Sequence, residues 1–225
     1  MKGKYCAVIP AFQAEKTIGR LVGNIKSGGL DVVVVDDGSL DQTAAIASKE
    51  GAFVISHLRN QGKGAALRTG FEHARRAGFD GVVTLDSDGQ HDPAEIARLI
   101  EAGEHQHAGM TIGNRMINGV AMPRSRRWTN QLMSTLISHA IRQRIPDSQC
   151  GFRFIRKELL ESIPLRARRF DIETELVLGA AAARWKIISV PIRSIYKDEA
   201  SYIRPLRDGI RFLWLILRFL LTRHV

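Results

Sequence analysis

Cysteine is scarce in this chain: 225 residues hold only Cys6 and Cys150. Cys6 lies inside an apolar, strand-like run, so the pair supports neither a disulfide framework nor a zinc ligand set, and a reducing, cytosolic setting is expected. Aromatic residues make up 7% of the chain, with three Trp. No stacking platform or basic-aromatic motif is visible, so nucleic acid is not expected as a partner. No uninterrupted apolar run approaches the roughly 20 residues needed to span a bilayer. The opening Met-Lys-Gly-Lys, followed by Tyr5 to Pro10, is too short and too strand-like for a secretory signal, so no export is expected. Low-complexity tracts and internal periods are also missing, which leaves one compact core.

What is present is charge, unevenly placed. The net charge is +10; residues 1–114 carry 12 Lys+Arg against 14 Asp+Glu, and residues 115–225 carry 21 against 9. An acidic half beside a basic half suits a site where a metal ion and phosphates meet, or a surface that faces anionic lipid. A basic face with no partner is the plainer alternative.

Apolar, β-rich runs at Tyr5–Ile9, Val32–Val35, Phe53–Ser56, Val82–Leu85 and Met110–Ile112 alternate with helical patterns at about 15–27, 42–50, 63–77 and 93–106. This alternation predicts βαβ units. The unbroken Val32–Val35 run points to strands covered on both faces, hence an α/β fold with a mainly parallel sheet between helices. Beyond residue 114 the pattern predicts an Arg-rich loop, a helix at 124–141, a short strand near Gly151–Ile155, a helix at 171–183, a strand at Ile187–Ile192 and a terminal helix.

Three polar clusters each follow a predicted strand: Asp36-Asp37-Gly38-Ser39, Arg59 to Gly64, and Asp86-Ser87-Asp88-Gly89-Gln90-His91. Ligands of such sheets bind beyond the carboxyl ends of the strands, so the clusters should converge. Asp86 and Asp88 offer hard oxygen ligands suited to Mg²⁺ or Mn²⁺ completed by substrate phosphates. Asp92-Pro93 already explains the next helix start and leaves both earlier carboxylates without a structural task. Ser39 or Asp41 would cap the helix near Gln42. Gly62-Lys63-Gly64 would either cradle phosphate at a helix start or serve packing alone. Arg124, Arg126 and Arg127 precede an apolar helix, where positive charge opposes the dipole unless an anion is bound.

The ordered series Ile9-Pro10-Ala11-Phe12, Val35 to Thr43, Asn60 to Gly64, Asp86 to Pro93 and Gly113-Asn114-Arg115 resembles the family 2 inverting glycosyltransferases. The likeness is strongest to the dolichol- or polyprenyl-phosphate sugar synthases and continues through Asp147 to Phe152, Phe170 to Glu173 and Pro191-Ile192. It implies a GT-A, Rossmann-like domain over residues 1–204, with a nucleotide-sugar and metal half (1–114) and an acceptor half (115–204). It implies donor contacts from Pro10, Phe12, Asp37, Lys63 and Asp86, and metal or diphosphate contacts from Asp88 and Gln90. Arg115, Arg126 and Asn130 would hold the acceptor phosphate, with Asp86, Asp88 and Arg115 carrying the chemistry and a lid at Tyr196–Tyr202. Ala14 departs from the Glu common in relatives, and Gln149 from a small hydroxyl residue.

On this reading the partners are a nucleotide-diphosphate sugar, a polyprenyl phosphate and Mg²⁺ or Mn²⁺. A lipid phosphate needs no general base; a hydroxyl acceptor would, and Glu173, Glu175 and Asp147 are the candidates, although Asp171 suits a helix N-cap and the two glutamates suit a first turn. A nucleotidyltransferase is a further alternative, opposed by the lack of a Gly-rich, Lys-containing segment after the first strand. Residues 205–225, with Arg204, Arg207, Arg211 and Arg218 on one stripe, predict an amphipathic helix. It would either lie at the cytoplasmic side of a membrane as a peripheral anchor or pack on the domain or on a partner subunit.

Overall fold

The computed structural model describes residues 3–117, 122–193 and 205–222, with only the backbone described at 125, 205–211, 213 and 222. The expected lid at Tyr196–Tyr202 lies outside these residues, as do Arg204 and the side chains of Arg207 and Arg211.

Seven strands form one sheet in the order β3-β2-β1-β4-β6-β5-β7. They are β1 (Tyr5–Ala11), β2 (Asp31–Asp36), β3 (Phe53–Ser56), β4 (Gly81–Thr84), β5 (Met110–Asn114), β6 (Arg153–Arg156) and β7 (Ile187–Pro191). Val32 to Val35 are all buried, as expected of a strand covered on both faces. The intervening helices are α1 (Ile18–Ser27), α2 (Thr43–Lys49), α3 (Lys63–Arg76) and α4 (Ile96–His105). In α1, Ile18, Leu21, Val22 and Ile25 form the buried face, the spacing of a 3.6-residue period. α3 lies close on the sheet because its contact residues are small: a Cβ on Gly70 would come within 2.3 Å of the Val8 side chain.

The structure adds details the pattern did not supply. α4 is preceded by a 3-10 turn at Pro93–Glu95, with Asp92 accepting from the Ala94 N–H at 3.0 Å. A short helix, α6 (Lys157–Ser162), follows β6, and α5 (Arg124–Ile141), α7 (Ile172–Ala182) and α8 (Pro205–Thr222) complete the chain. Asp171 stands at the start of α7, but its carboxylate accepts from the Arg169 N–H rather than from the helix. Ser39 accepts from the Gln13 N–H instead of capping α2, and Asp41 receives the Thr43 N–H.

The most consequential departure is β6, which runs antiparallel to both β4 and β5 inside an otherwise parallel sheet. Thr84 pairs with Arg153, and so does Ile112. The start of β6 therefore lies at the carboxyl ends of β4 and β5. Reversal of this one strand delivers the segment Asp147 to Gly151 to the same edge as the three polar clusters.

Candidate active site

Leu85 is buried, and the chain emerges from β4 at Asp86, which is half-buried beside Ser87 and Asp88. The Lys63 ammonium lies 2.5 Å from Asp86 Oδ1 and 2.5 Å from Glu173 Oε1, and His91 Nε2 lies 3.7 Å from Asp86 Oδ2. Lys63 stands here because Gly62, with φ 98°, turns the chain into α3. Close approach of backbone explains the rest of the Gly62-Lys63-Gly64 sequence. A Cβ on Gly62 would meet the Arg168 carbonyl oxygen at 2.4 Å, and one on Gly64 the Ala167 carbonyl oxygen at 2.6 Å. These glycines thus serve packing against the 166–169 segment. A Cβ on Gly151 would likewise stand 2.7 Å from Asp86 Oδ2.

The charges of this cluster do not balance evenly. Burial alone would raise the Asp86 carboxyl, but Lys63 and His91 overcome it and hold the group well below the usual carboxylate range. Burial would lower Lys63, yet Asp86 and Glu173 keep its ammonium charged. Asp88 goes the other way: burial and the adjacent negative charge of Asp86 raise it. Its Oδ1 accepts from the Gln90 N–H at 2.9 Å. His91 Nδ1 and Glu173 Oε2 are buried without a hydrogen-bond partner. Unpaired buried polar atoms beside a carboxyl group whose pKa is raised make this the candidate binding place.

A second cluster stands at the end of β5. Arg115 Nε and Nη2 donate to Asp147 at 2.8 and 2.9 Å, and the Arg115 N–H adds a bond of 3.1 Å. Asn130 donates to Asp147 Oδ1 at 2.8 Å and accepts from Ser134. Burial would raise Asp147, but Arg115 and Asn130 hold it below the ordinary value. Beneath both clusters the fully buried Arg153 guanidinium donates to the carbonyls of Cys150, Glu173 and Ser148.

Lys63, Asp86 and Asp88 thus come together as expected, and Gln90 is buried at their side. Asp37 is buried and its oxygens already receive the N–H groups of Gln61 and Gly62 and a bond to His57, so it organises the turn into α3. Pro10 is buried within β1, whereas Phe12, just beyond it, is exposed. Arg126 is half-buried in the first turn of α5, one turn from Asn130. Sequence reasoning did not foresee the Lys63–Glu173 pair, the closure of Asp147 on Arg115, or Arg153. The two glycines flanking Lys63 were the one available signal of the first.

The model of the family described as "Glycosyl transferase family 2" matches residues 6–163. The chain belongs to glycosyl transferase family 2. This family 2 glycosyltransferase is 32% identical to the UDP-N-acetylglucosamine--dolichyl-phosphate N-acetylglucosaminyltransferase of Methanococcus voltae, over 85% of each chain. It is 29% identical to the polyprenol monophosphomannose synthase of Mycolicibacterium smegmatis, covering 82% of this chain and 75% of that one. Among solved structures, glucosyl-3-phosphoglycerate synthase from Mycobacterium tuberculosis, in complex with Mg²⁺ and uridine diphosphate, superposes with a TM-score of 0.73. At 21% identity, over 99% of this chain and 79% of that one, this likeness speaks for the GT-A fold.

Proposed function

We propose that the protein transfers a sugar from a nucleotide-diphosphate sugar, UDP- or GDP-linked, to a polyprenyl phosphate, with inversion and with the help of Mg²⁺ or Mn²⁺. The observation that carries this reading is the open carboxylate pair at the end of β4, where Asp88 is raised by burial and by Asp86 and, among the described residues, forms no ion pair with a cationic side chain. Two relatives named as lipid-phosphate sugar transferases, alike over most of their length, support the acceptor class.

Asp88, with Asp86 beside it, supplies hard oxygen donors, and among the described residues no third His, Cys, Asp or Glu joins them as a ligand. That donor set fits a small cation completed by phosphate oxygens and water. A divalent cation bound there would stabilise the charge that develops on the departing diphosphate, in place of a proton donor. Lys63 holds Asp86 ionised and oriented, and Glu173 holds Lys63. A lipid phosphate is already ionised at neutral pH and needs no base.

A hydroxyl acceptor is the second reading, and one observation favours it. Glu175 is taken up by the N–H groups of Arg166 and Ala167, and Asp147 by Arg115, whereas Glu173 Oε2 is unpartnered. A carboxylate ion-paired to Lys63 is nevertheless a weak base, so the phosphate reading stands first.

Membrane contact belongs to the same proposal. No described helix is long and apolar enough to cross a membrane. α8 buries Phe212 and Phe219 against the domain yet exposes Trp214, Leu217 and Leu221, with Arg218 packed 5.5 Å from the Trp214 ring. That division suits a helix fixed to the domain by one edge and resting peripherally on lipid by another.

The test is incubation of the full chain with Mn²⁺, labelled UDP and GDP sugars, and polyprenyl phosphate. Label should enter the lipid, EDTA should abolish transfer, and Asp88→Ala should lower it by about 10³-fold. Transfer unchanged under both would overturn the mechanism; transfer to hydroxyl acceptors alone, lost in Glu173→Gln, would establish the second reading.

A further inference from the structure

Leu165-Arg166-Ala167-Arg168-Arg169-Phe170 joins α6 to α7 and places three arginines within four positions. A solvated loop with this composition would ordinarily let its charges spread apart. Here the backbone is pinned from several sides. Glu175 accepts the N–H groups of Arg166 and Ala167 at 2.9 and 2.8 Å, and Asp171 accepts that of Arg169 at 3.1 Å. The Arg168 carbonyl receives the Ala65 N–H at 3.2 Å, at the start of α3. Gly62 and Gly64 give up their side chains to let this segment lie against them.

The side chains are left unpaired on that fixed frame. Arg166, Arg168 and Arg169 are exposed, and among the described residues none of their guanidinium groups meets a carboxylate. Some exposed arginines elsewhere do pair, Arg75 and Arg76 with Glu72 and Arg98 with Glu95; what sets these three apart is their spacing within four positions on one hydrogen-bonded turn. The turn also faces the active site. A Cβ on Gly62 would touch the Arg169 side chain at 3.2 Å, and the neighbouring Lys63 ammonium, bonded to Asp86 and Glu173, lies 5.8 Å from the centre of the exposed Phe170 ring.

We infer that the Arg166–Phe170 turn, between α6 and α7, is a phosphate-binding site, distinct in sequence and element from the arginines at the start of α5. Its ligand is a phosphate ester or diphosphate, recognised by guanidinium groups that a rigid backbone holds ready, with Phe170 offering an apolar surface to whatever carries the phosphate. Fixing like charges together is unfavourable without an anion, and the pinned backbone lowers the ordering cost when one arrives. The inference goes beyond the reaction proposed above, and its test uses no sugar donor, so the two stand or fall separately.

The same phosphate chemistry is offered by a membrane headgroup and by a free diphosphate, and two binding measurements tell them apart. The full chain and the triple variant R166Q/R168Q/R169Q are compared for partition onto phosphatidylcholine vesicles with and without phosphatidylglycerol, and for calorimetric binding of inorganic pyrophosphate without added metal. Because the three side chains are exposed, the variant should melt with the parent. A loss of about tenfold or more in partition onto the anionic vesicles, with pyrophosphate binding kept, supports the site and assigns it to lipid. A comparable loss of pyrophosphate binding supports it and assigns it to a free diphosphate. A variant that melts like the parent and retains both affinities overturns the inference.

Discussion

Arg115, Asp147 and Asn130 form a closed cluster at the end of β5, whereas Lys63, Asp86, Asp88, His91 and Glu173 form an open one at the end of β4. The closed cluster satisfies both Asp147 oxygens with two side chains and a backbone N–H, all within 3.1 Å. The open cluster leaves His91 Nδ1 and Glu173 Oε2 unpaired and forces Asp88 above the ordinary carboxyl range. Both lie at one sheet edge and both join a cation to carboxylates, so residue type does not separate them. Completeness of pairing does. A fully satisfied buried network makes one rigid arrangement, and an incomplete one costs stability that a ligand can restore.

The largest expected effect separates the two clusters by kind. Asp88→Ala should lower sugar transfer by about 10³-fold, the scale of losing one electrostatic contact in a transition state, with no loss of thermal stability. Parallel loss of activity and melting temperature would make Asp88 a structural residue like Asp147. Asp147→Ala should instead cost about 3–5 kcal/mol in urea unfolding, since it removes a buried carboxylate that accepts three hydrogen bonds from Arg115 and one from Asn130. A cost under about 1 kcal/mol would show the closed cluster behaving as an exposed ion pair.

A smaller effect is expected at the seam between the clusters. Gly64→Ala pushes a methyl group against the Ala167 carbonyl and should cost about 1–3 kcal/mol, the range for overpacking, while moving Lys63. Unchanged stability and unchanged transfer would show that the 166–169 segment yields freely.

The finest distinction is one of sign in pH dependence, measured with chelator present. Asp147 sits below its ordinary value near 3.8, so its contribution to stability is present above that pH and is lost as pH falls through the lower folded value. The deficit of Asp147→Asn should therefore shrink in acid. Asp88 sits above the same ordinary value, so folding favours its protonated form and that stabilisation is lost as pH rises through the raised value. Asp88→Asn should accordingly be more stable than the parent at neutral pH and lose this advantage below about 3.8. Equal curves for the two variants would erase the comparison.

Much of the first half of the chain was legible in the sequence. Strand, turn and helix signals placed the three polar clusters after β2, β3 and β4, and α5 falls on the expected 124–141 span. The second half was less so. Arg115, expected at an acceptor phosphate, is engaged by Asp147 across 32 positions, and Asn130 turns inward to the same carboxylate. Nothing near either residue announces that partnership. The Gly62-Lys63-Gly64 sequence admitted both a phosphate cradle and a packing role, and only the Arg168 carbonyl lying over it makes the packing role visible.

Local chemistry was thus determined by the sequence alone: which runs become strands, where the turns carry carboxylates, and that a carboxylate pair emerges after β4. These depend on periodicity and turn preference, which act over a few residues. The tertiary structure alone decided which charges are spent and which are left over. That choice follows from one antiparallel strand, β6, which brings Asp147 to Gly151 beside Asp86, and from a segment crossing α3 that sets Lys63 between Asp86 and Glu173. Pairing across such distances is a property of the packed sheet, so no stretch of sequence could carry it.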